Sequence, residues 1–321
     1  MVADIHELRR SEIPAFIDLL RHGFGGELEH QGTDLRWIRR MLTVATLARG
    51  IPARALRRVT GNEATILMAI HRGHIAGSVT ILGRRNPRLT GIVVHPEARG
   101  QGVGLQLLQE GLRRLQARGH RWVSGAAIDP RALALAQKAG FRALDQIDLY
   151  RLPLPAAVAR PPGTAVRRAR RTDLCRIGRR QRPVECDLNA HPFALPLLGS
   201  LCGLRVRHIT AWNNDAPIAC CSVSSARGNA VGEMRTVRAR ADHPDGVLAC
   251  LALACRWLES LGKIALHLYL SADSPEFGEA AAAIGATKCH TWTRVAVDLD
   301  SWSPANAAGR GGGPPPRLEE A

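Results

Sequence analysis

One stretch constrains this chain more than any other: Ile92-Val93-Val94-His95-Pro96-Glu97-Ala98-Arg99-Gly100-Gln101-Gly102-Val103-Gly104, running on into Leu105-Gln106-Leu107-Leu108. A β-branched run ends at a proline, passes through a glycine-punctuated turn that carries an arginine, and opens a helix with no acid in its first turn. Glycine accepts positive φ and lets a ligand come close to the backbone. The first amides of a helix lack partners within it and lie at the positive end of its dipole. The segment therefore reads as a cradle for an anion, a phosphate or pyrophosphate. Two familiar phosphate loops are excluded. No Lys-Ser or Lys-Thr pair follows the glycines, so the magnesium-binding hydroxyl of a P-loop is missing. The spacing of Gly100, Gly102 and Gly104 also departs from the Gly-x-Gly-x-x-Gly of dinucleotide-binding turns.

The next segment supplies a matching flank. Arg121 to Ile128 reads as a strand, Asp129-Pro130 as an N-cap and first helical position, and Arg131 to Ala139 as a helix stopped by Gly140-Phe141. Together these features resemble the acetyl-CoA signature of the GNAT N-acetyltransferase superfamily, Arg/Gln-x-x-Gly-x-Gly/Ala preceded by Val-x-Pro. Arg99, Gly102, Gly104, Val94 and Pro96 fill its positions. The resemblance implies acetyl-CoA as co-substrate and no metal. It implies that CoA lies along the main chain of Ile92, Val93 and Val94, on Arg99, Gly100, Gln101, Gly102, Val103, Gly104 and Leu105, and beside Asp129. It further implies a β-bulge at Val94 that frees an amide for the thioester oxygen. The usual proton donor is a tyrosine four residues upstream of the Gly-Phe pair, where this chain has Ala136; Tyr150 lies on a later strand. Glu29, His30, His71, His74 and Glu97 are all conceivable bases, and the sequence singles out none, so the catalytic residues stay unassigned.

At 321 residues the chain exceeds one ordinary domain. A weak internal repeat divides it. The basic strand and cap at Leu8 to Ile13 recur at Val166 to Leu174, and Ile75-Ala76-Gly77-Ser78-Val79 is echoed from Ile218 to Val223. The helix from Gly104 to Gly119 is echoed from Val247 to Gly262. The expected fold is mixed α/β: two tandem GNAT-like domains, each a mostly antiparallel twisted sheet flanked by helices, with the fourth and fifth strands splayed for the pantetheine arm. The expected boundaries are a first domain over 1–153, a proline-rich linker over 154–163, a degenerate second domain over 164–301 and a disordered tail over 302–321. In the second copy, aligned on its helix, Asp242, Asp245 and Val247 replace Arg99, Gly102 and Gly104, so that copy is expected not to bind CoA in the same way. Ser11 and Ile75 lie 18 residues further apart than their counterparts Thr172 and Ile218. In the superfamily the region carrying that insertion roofs the acceptor site. Here it is rich in arginine (Arg36, Arg39, Arg40, Arg49, Arg54, Arg57, Arg58) and holds Asp34 and Glu27.

The formal charge of +16 would suit a polyanion partner. Yet 41 of the basic residues are arginine and only three are lysine, a skew that a GC-rich genome also produces, and aromatics make up 4% of the chain. Single-strand binders interleave more aromatics than that, so a nucleic-acid partner is not expected. All eight cysteines fall in the second half without Cys-x-x-Cys or zinc spacing, and read as reduced, buried small side chains. With no 18-residue apolar run and a charged start, the expectation is a cytoplasmic protein without a membrane span. Three functions compete at this point: acetyl transfer to a small-molecule amine, a catalytically silent CoA-binding module, and acetylation of a protein or peptide.

Overall fold

Alternating β and helical periods translate into twelve strands and six α-helices among the residues that the computed structural model describes: 3–30, 35–47, 64–83, 87–168, 203–214, 216–239, 243 and 245–304. In chain order these are β1 (Asp4–Glu7), α1 (Ile13–His30), α2 (Leu35–Leu47), β2 (Ala64–His71), β3 (His74–Leu82), β4 (Arg88–Val94), α3 (Val103–Ala117), β5 (Trp122–Ala127), α4 (Pro130–Lys138) and β6 (Arg142–Pro153). The second half adds β7 (Thr164–Arg168), β8 (Leu204–Asn213), β9 (Ala216–Ala226), β10 (Val231–Ala239), α5 (Asp245–Glu259), β11 (Ala265–Ser271), α6 (Pro275–Ala283) and β12 (Thr287–Asp298).

The two compact units do not follow the two halves of the chain. One gathers Met1–Gly25, Leu42–Asp145 and Trp292–Ala321; the other gathers Gly26–Met41 and Gln146–Thr291. The first unit orders its strands β1-β2-β3-β4-β5-β12, and the second orders them β6-β11-β10-β9-β8-β7. β12 pairs antiparallel with β5 from Thr293↔Ala127 to Asp298↔Trp122, so a strand from the end of the chain completes the first unit. In return β6 pairs with β11 from Ala265↔Pro153 to Ser271↔Ile147. A boundary near residue 153 thus separates the halves of the sequence but not the packed units.

In the first unit Leu107, Leu112 and Leu115 of α3 pack with Val79, Ile81 and Leu89 of the sheet, and Val295, Val297, Leu299 and Trp302 join that core. Trp302 is anchored by its indole N–H, which donates to the Ala139 carbonyl at 2.9 Å. The expected tail therefore includes a docked residue at its very start; residues 305–321 lie outside the described set. The segment 154–163 is likewise laid on a surface rather than suspended. The Leu154 amide donates to the Ile264 carbonyl, and Leu154, Ala156 and Val158 pack on the second core. That core is built from one face of β8 to β11 against α5, including Ile209, Cys221, Met234, Leu268 and Cys250. Cys220, Cys221, Cys250 and Cys255 are buried free thiols and Cys289 is partly buried; burial pushes Cys255 up to about 12. Cys175, Cys186 and Cys202 lie outside the described residues.

The repeat is real but one residue out of step with its sequence alignment. An extra residue bulges at Ala76 in β3, between Ala69↔Gly77 and Ile70↔Ile75, and at Ile218 in β9, between Ala211↔Ala219 and Trp212↔Pro217. The helices begin at Val103 and Asp245 with the same displacement, which sets Gly104 opposite Gly246 rather than Val247. Side-chain alternation decides this: a slip of one residue would turn every apolar side chain of β9 to the wrong face. Among the described residues no helix is long and apolar enough to cross a membrane.

Candidate functional site

The cradle residues converge at one end of β4. Three local devices make the turn. Pro96 opens a single 3-10 turn, Pro96–Ala98, whose Ala98 amide donates to the His95 carbonyl at 2.9 Å. Gly100 and Gly102 follow with φ of 77° and 79°, a region that strains residues bearing a Cβ. Gly102 then caps α3, and the first helical hydrogen bond runs from the Gln106 amide to the Gly102 carbonyl at 3.1 Å. The amides of Val103, Gly104 and Leu105 precede that bond and have no partner within the helix.

Space and charge at the turn suit an anion. A Cβ built on Gly100 meets no atom within 4 Å, and one on Gly102 meets only the end of the Gln106 side chain at 3.8 Å. Their glycine requirement is therefore one of φ, and the space above them is open. Gly104 differs: a Cβ there would lie 3.1 Å from Leu135 and 3.3 Å from Val94, so this glycine lets α3 close onto β4 and α4. No acid occupies the first turn of α3. Arg99 is exposed, and its Nε donates to the Val94 carbonyl at 3.2 Å, which pins the arginine beside the strand end. Gln101 is tied by its side-chain amide to the Glu97 carbonyl at 2.8 Å.

β4 presents its main chain away from β3 where the resemblance needs it. Gly77 and Val94 are opposite one another, and the His95 amide donates to the Ala76 carbonyl at 2.8 Å. The pair Gly77–Val94 is thus of the non-hydrogen-bonded kind, so Val94 turns its own N–H away from β3. On that other side β4 and β5 pair only at Arg88↔Ser124, with the Ser124 amide donating to the Pro87 carbonyl at 3.1 Å, and beyond this point the two strands share no pairing. The bulge lies earlier than expected. β3 advances two residues between Ser78 and Thr80 while β4 advances three between Val93 and Thr90, which places the extra residue at Gly91–Ile92 rather than at Val94. Gly91, with φ of 59°, is the residue that accommodates it.

The remaining expected residues scatter. Asp129 caps α4, its Oδ1 accepting the Ala132 amide at 2.7 Å. Ala136 is buried in the core and offers no proton. Tyr150 belongs to the second unit, beside Gly278. His71 and His74 close the β2–β3 hairpin, and the Glu97 side chain is 91% exposed. The side chains of Glu27, Glu29 and His30 and the residues Asp34, Arg49, Arg54, Arg57 and Arg58 lie outside the described set.

Two histidines that sequence reasoning passed over are brought together at the strand end. His22 of α1 and His95 have ring centroids 5.9 Å apart. The approach depends on Gly23, where a Cβ would lie 2.3 Å from a Val93 methyl, so the α1 backbone rests directly on β4. His22 donates its Nδ1–H to the Asp18 carbonyl at 2.8 Å, which fixes the tautomer and leaves Nε2 with its lone pair. His95 is one third exposed, with Nδ1 3.9 Å from Glu97. A signal did exist: His95 stands inside the signature itself, at the variable position of Val-x-Pro.

Residues 33–141 match the family model described as Acetyltransferase (GNAT) family. The chain is also similar in fold to solved structures at low identity. One is a tandem GNAT protein from the clavulanic acid biosynthesis pathway, with TM-score 0.61, 13% identity, and coverage of 93% of this chain and 99% of that one. Another is a GCN5-related N-acetyltransferase from Sphaerobacter thermophilus, with TM-score 0.62, 18% identity, and coverage of 92% and 96%. A third, from Pyrococcus horikoshii, is titled a putative acetyltransferase, with TM-score 0.59, 13% identity, and coverage of 92% and 89%. No curated protein sequence is significantly similar to the chain.

Proposed function

We propose that this chain, a tandem GNAT-fold protein whose residues 33–141 match the acetyltransferase (GNAT) family, transfers an acetyl group from acetyl-CoA to a primary amine of a small molecule. The observation that carries the reading is the cradle: amides at 103–105 without a partner inside the helix, two glycines at positive φ under open space, and an arginine pinned beside them. The amides of Gly100 to Leu105 hold the pyrophosphate, Arg99 adds charge, and the main chain of Ile92 and Val94 lines the gap that opens beyond Arg88↔Ser124 for the pantetheine arm. Val93 packs toward α1 and sets the strand's depth. Asp129 serves the arm by holding the start of α4 in place.

The chemistry asks for a deprotonated amine, a polarised carbonyl and a leaving thiolate. The Val94 N–H is the free main-chain donor nearest the strand end, and it polarises the thioester oxygen. As the amine nitrogen bonds to the carbonyl carbon and the C–S bond breaks, the amine's proton passes to the His22–His95 pair. His22 Nε2 accepts it, directly or through His95. The thiolate takes its proton from solvent, since Ala136 offers none. In the second unit the matching helix opens on Asp245, an acid where an anion would have to sit.

Release of free thiol from acetyl-CoA tests the proposal, measured against a panel of small amines, amino acids and peptides. Release with a small amine, together with a product heavier by one acetyl group, is the expected result. Tight CoA binding with no release from any acceptor would favour the silent module, and release with peptides alone would redirect the assignment to a protein acetyltransferase.

A further inference from the structure

The sheet of the second unit carries an organised polar face that the cradle chemistry does not use. Outside the irregularities at Ile218 in β9 and between Arg235 and Arg238 in β10, strands β6 and β8 to β11 alternate. Leu152, Leu268, Met234, Val223 and Ile209 point toward α5 and form the core. On the opposite face two consecutive cross-strand rows are polar. In one row Arg151, His267 and Glu233 are direct neighbours across β6, β11 and β10. In the next, Arg235 and Ser222 stand opposite each other, as do Ser222 and His208. Tyr269 lies beside Arg235, whose guanidinium sits 4.5 Å from the centre of its ring.

A solvated antiparallel face would also be polar, but its side chains would be wet. Here His208, Ser222, His267, Tyr269 and Thr210 are all buried, whereas Glu233 and Arg235 keep 28% of their side-chain surface open and mark an entrance. The buried groups are held in fixed orientations. His208 Nδ1 lies 2.8 Å from the Ser222 hydroxyl. Arg235 Nε donates to Glu233 Oε2 at 3.0 Å, and the Tyr269 hydroxyl donates to Glu233 Oε1 at 3.4 Å. Burying polar groups costs free energy unless each finds a partner. In the Arg151–His267–Glu233 row, Arg151 Nε is buried without a partner among the described residues. Among the described residues of these two rows, the guanidiniums of Arg151 and Arg235 stand with one carboxylate, Glu233, which Arg235 and Tyr269 already engage.

We infer that this face is a binding site for a small oxyanion, a carboxylate or phosphate group carried by a ligand, received by Arg151 with Arg235 in the next row beside it. The site is independent of the acyl-transfer reading, since it uses none of the cradle residues and lies within the second unit. Guanidinium geometry suits a planar two-oxygen acceptor.

Thermal unfolding of the full chain, followed with sodium succinate or sodium phosphate against sodium chloride at equal ionic strength, tests this. A rise in Tm with one of the two anions is expected; succinate acting alone identifies a carboxylate, and phosphate acting alone a phosphoryl group. The rise should vanish in Arg151→Gln and persist in Gly102→Val, which alters only the cradle. Should Arg151→Gln not fold, Arg151→Lys provides the same comparison with the fork removed and the charge kept. Absence of any rise beyond chloride overturns the inference, as does a rise that survives the substitution at Arg151 or disappears in Gly102→Val.

Discussion

Cutting the chain at the proline-rich segment should destroy the first unit rather than liberate it. A polypeptide of residues 1–153 keeps the cradle and every element of the first half, yet it loses Val295, Val297, Leu299 and Trp302, each at most 7% exposed in the first unit's core. At about 1.5–3 kcal/mol for each large apolar side chain returned to water, the loss comes to about 6–12 kcal/mol. Whole domains are stable by only about 5–15 kcal/mol. The cut also removes six β5–β12 residue pairs, the hydrogen bond from Gln116 to the Leu299 carbonyl and the Trp302 anchor, leaving β5 as a bare edge. Circular dichroism and urea unfolding of 1–153 should therefore show no cooperative transition, whereas a chain joining 1–145 to 287–304 through a flexible linker should recover one. A cooperative transition of 1–153 at the midpoint of the intact chain would refute the reasoning, because β12 would then be dispensable to the unit it completes.

Three further outcomes follow from the same geometry. Gly102→Val places a β-branched residue at φ of 79°, at a cost of about 1–2 kcal/mol in local strain, and projects methyls into the open space of the cradle; calorimetric titration should show CoA affinity reduced at least about tenfold with the fold retained. His22→Gln should lower kcat by about 10²–10⁴-fold with CoA affinity unchanged; a kcat equal to that of the parent chain would contradict the assignment of the proton acceptor. At Glu110, burial alone would raise the carboxyl's pKa, but hydrogen bonds from Arg114 and Arg113 outweigh it and hold the group below its ordinary value. Its contribution to stability is thus complete above the unfolded value of about 4.3 and is lost as pH falls through the lower folded value. Glu110→Gln should accordingly narrow the stability gap between neutral and acidic pH, as read from urea midpoints.

What the sequence disclosed and what it withheld divide along the range of the interactions. The cradle turn, the Asp129 cap and the Gly140 stop are each decided within a few residues, by φ preferences and unpaired amides. Their positions in the fold agree with their reading in the chain. The exchange of β6 and β12 depends on which of several similar apolar strands meets which edge, a choice between pairings that local pattern cannot rank. The same holds for Trp302: a tryptophan before a Pro/Gly-rich run looks like the start of a tail until Ala139 offers it a carbonyl. His22 and His95 escaped notice because neither carries a spacing signal; only the close approach of Gly23 to Val93 brings their rings together. The off-by-one in the repeat arose because the Ile-Ala echo is stronger in letters than the bulge, which has no letter of its own.

Backbone nitrogens at one turn gripping the diphosphate of a thioester carrier are the core of the proposed function, and amide hydrogen exchange of the full chain with and without CoA examines them residue by residue. Slowed exchange at the amides of 100–105 and at Val94, with the first strands of the second unit unchanged, is the predicted pattern. CoA bound with those amides exchanging as fast as before would contradict it.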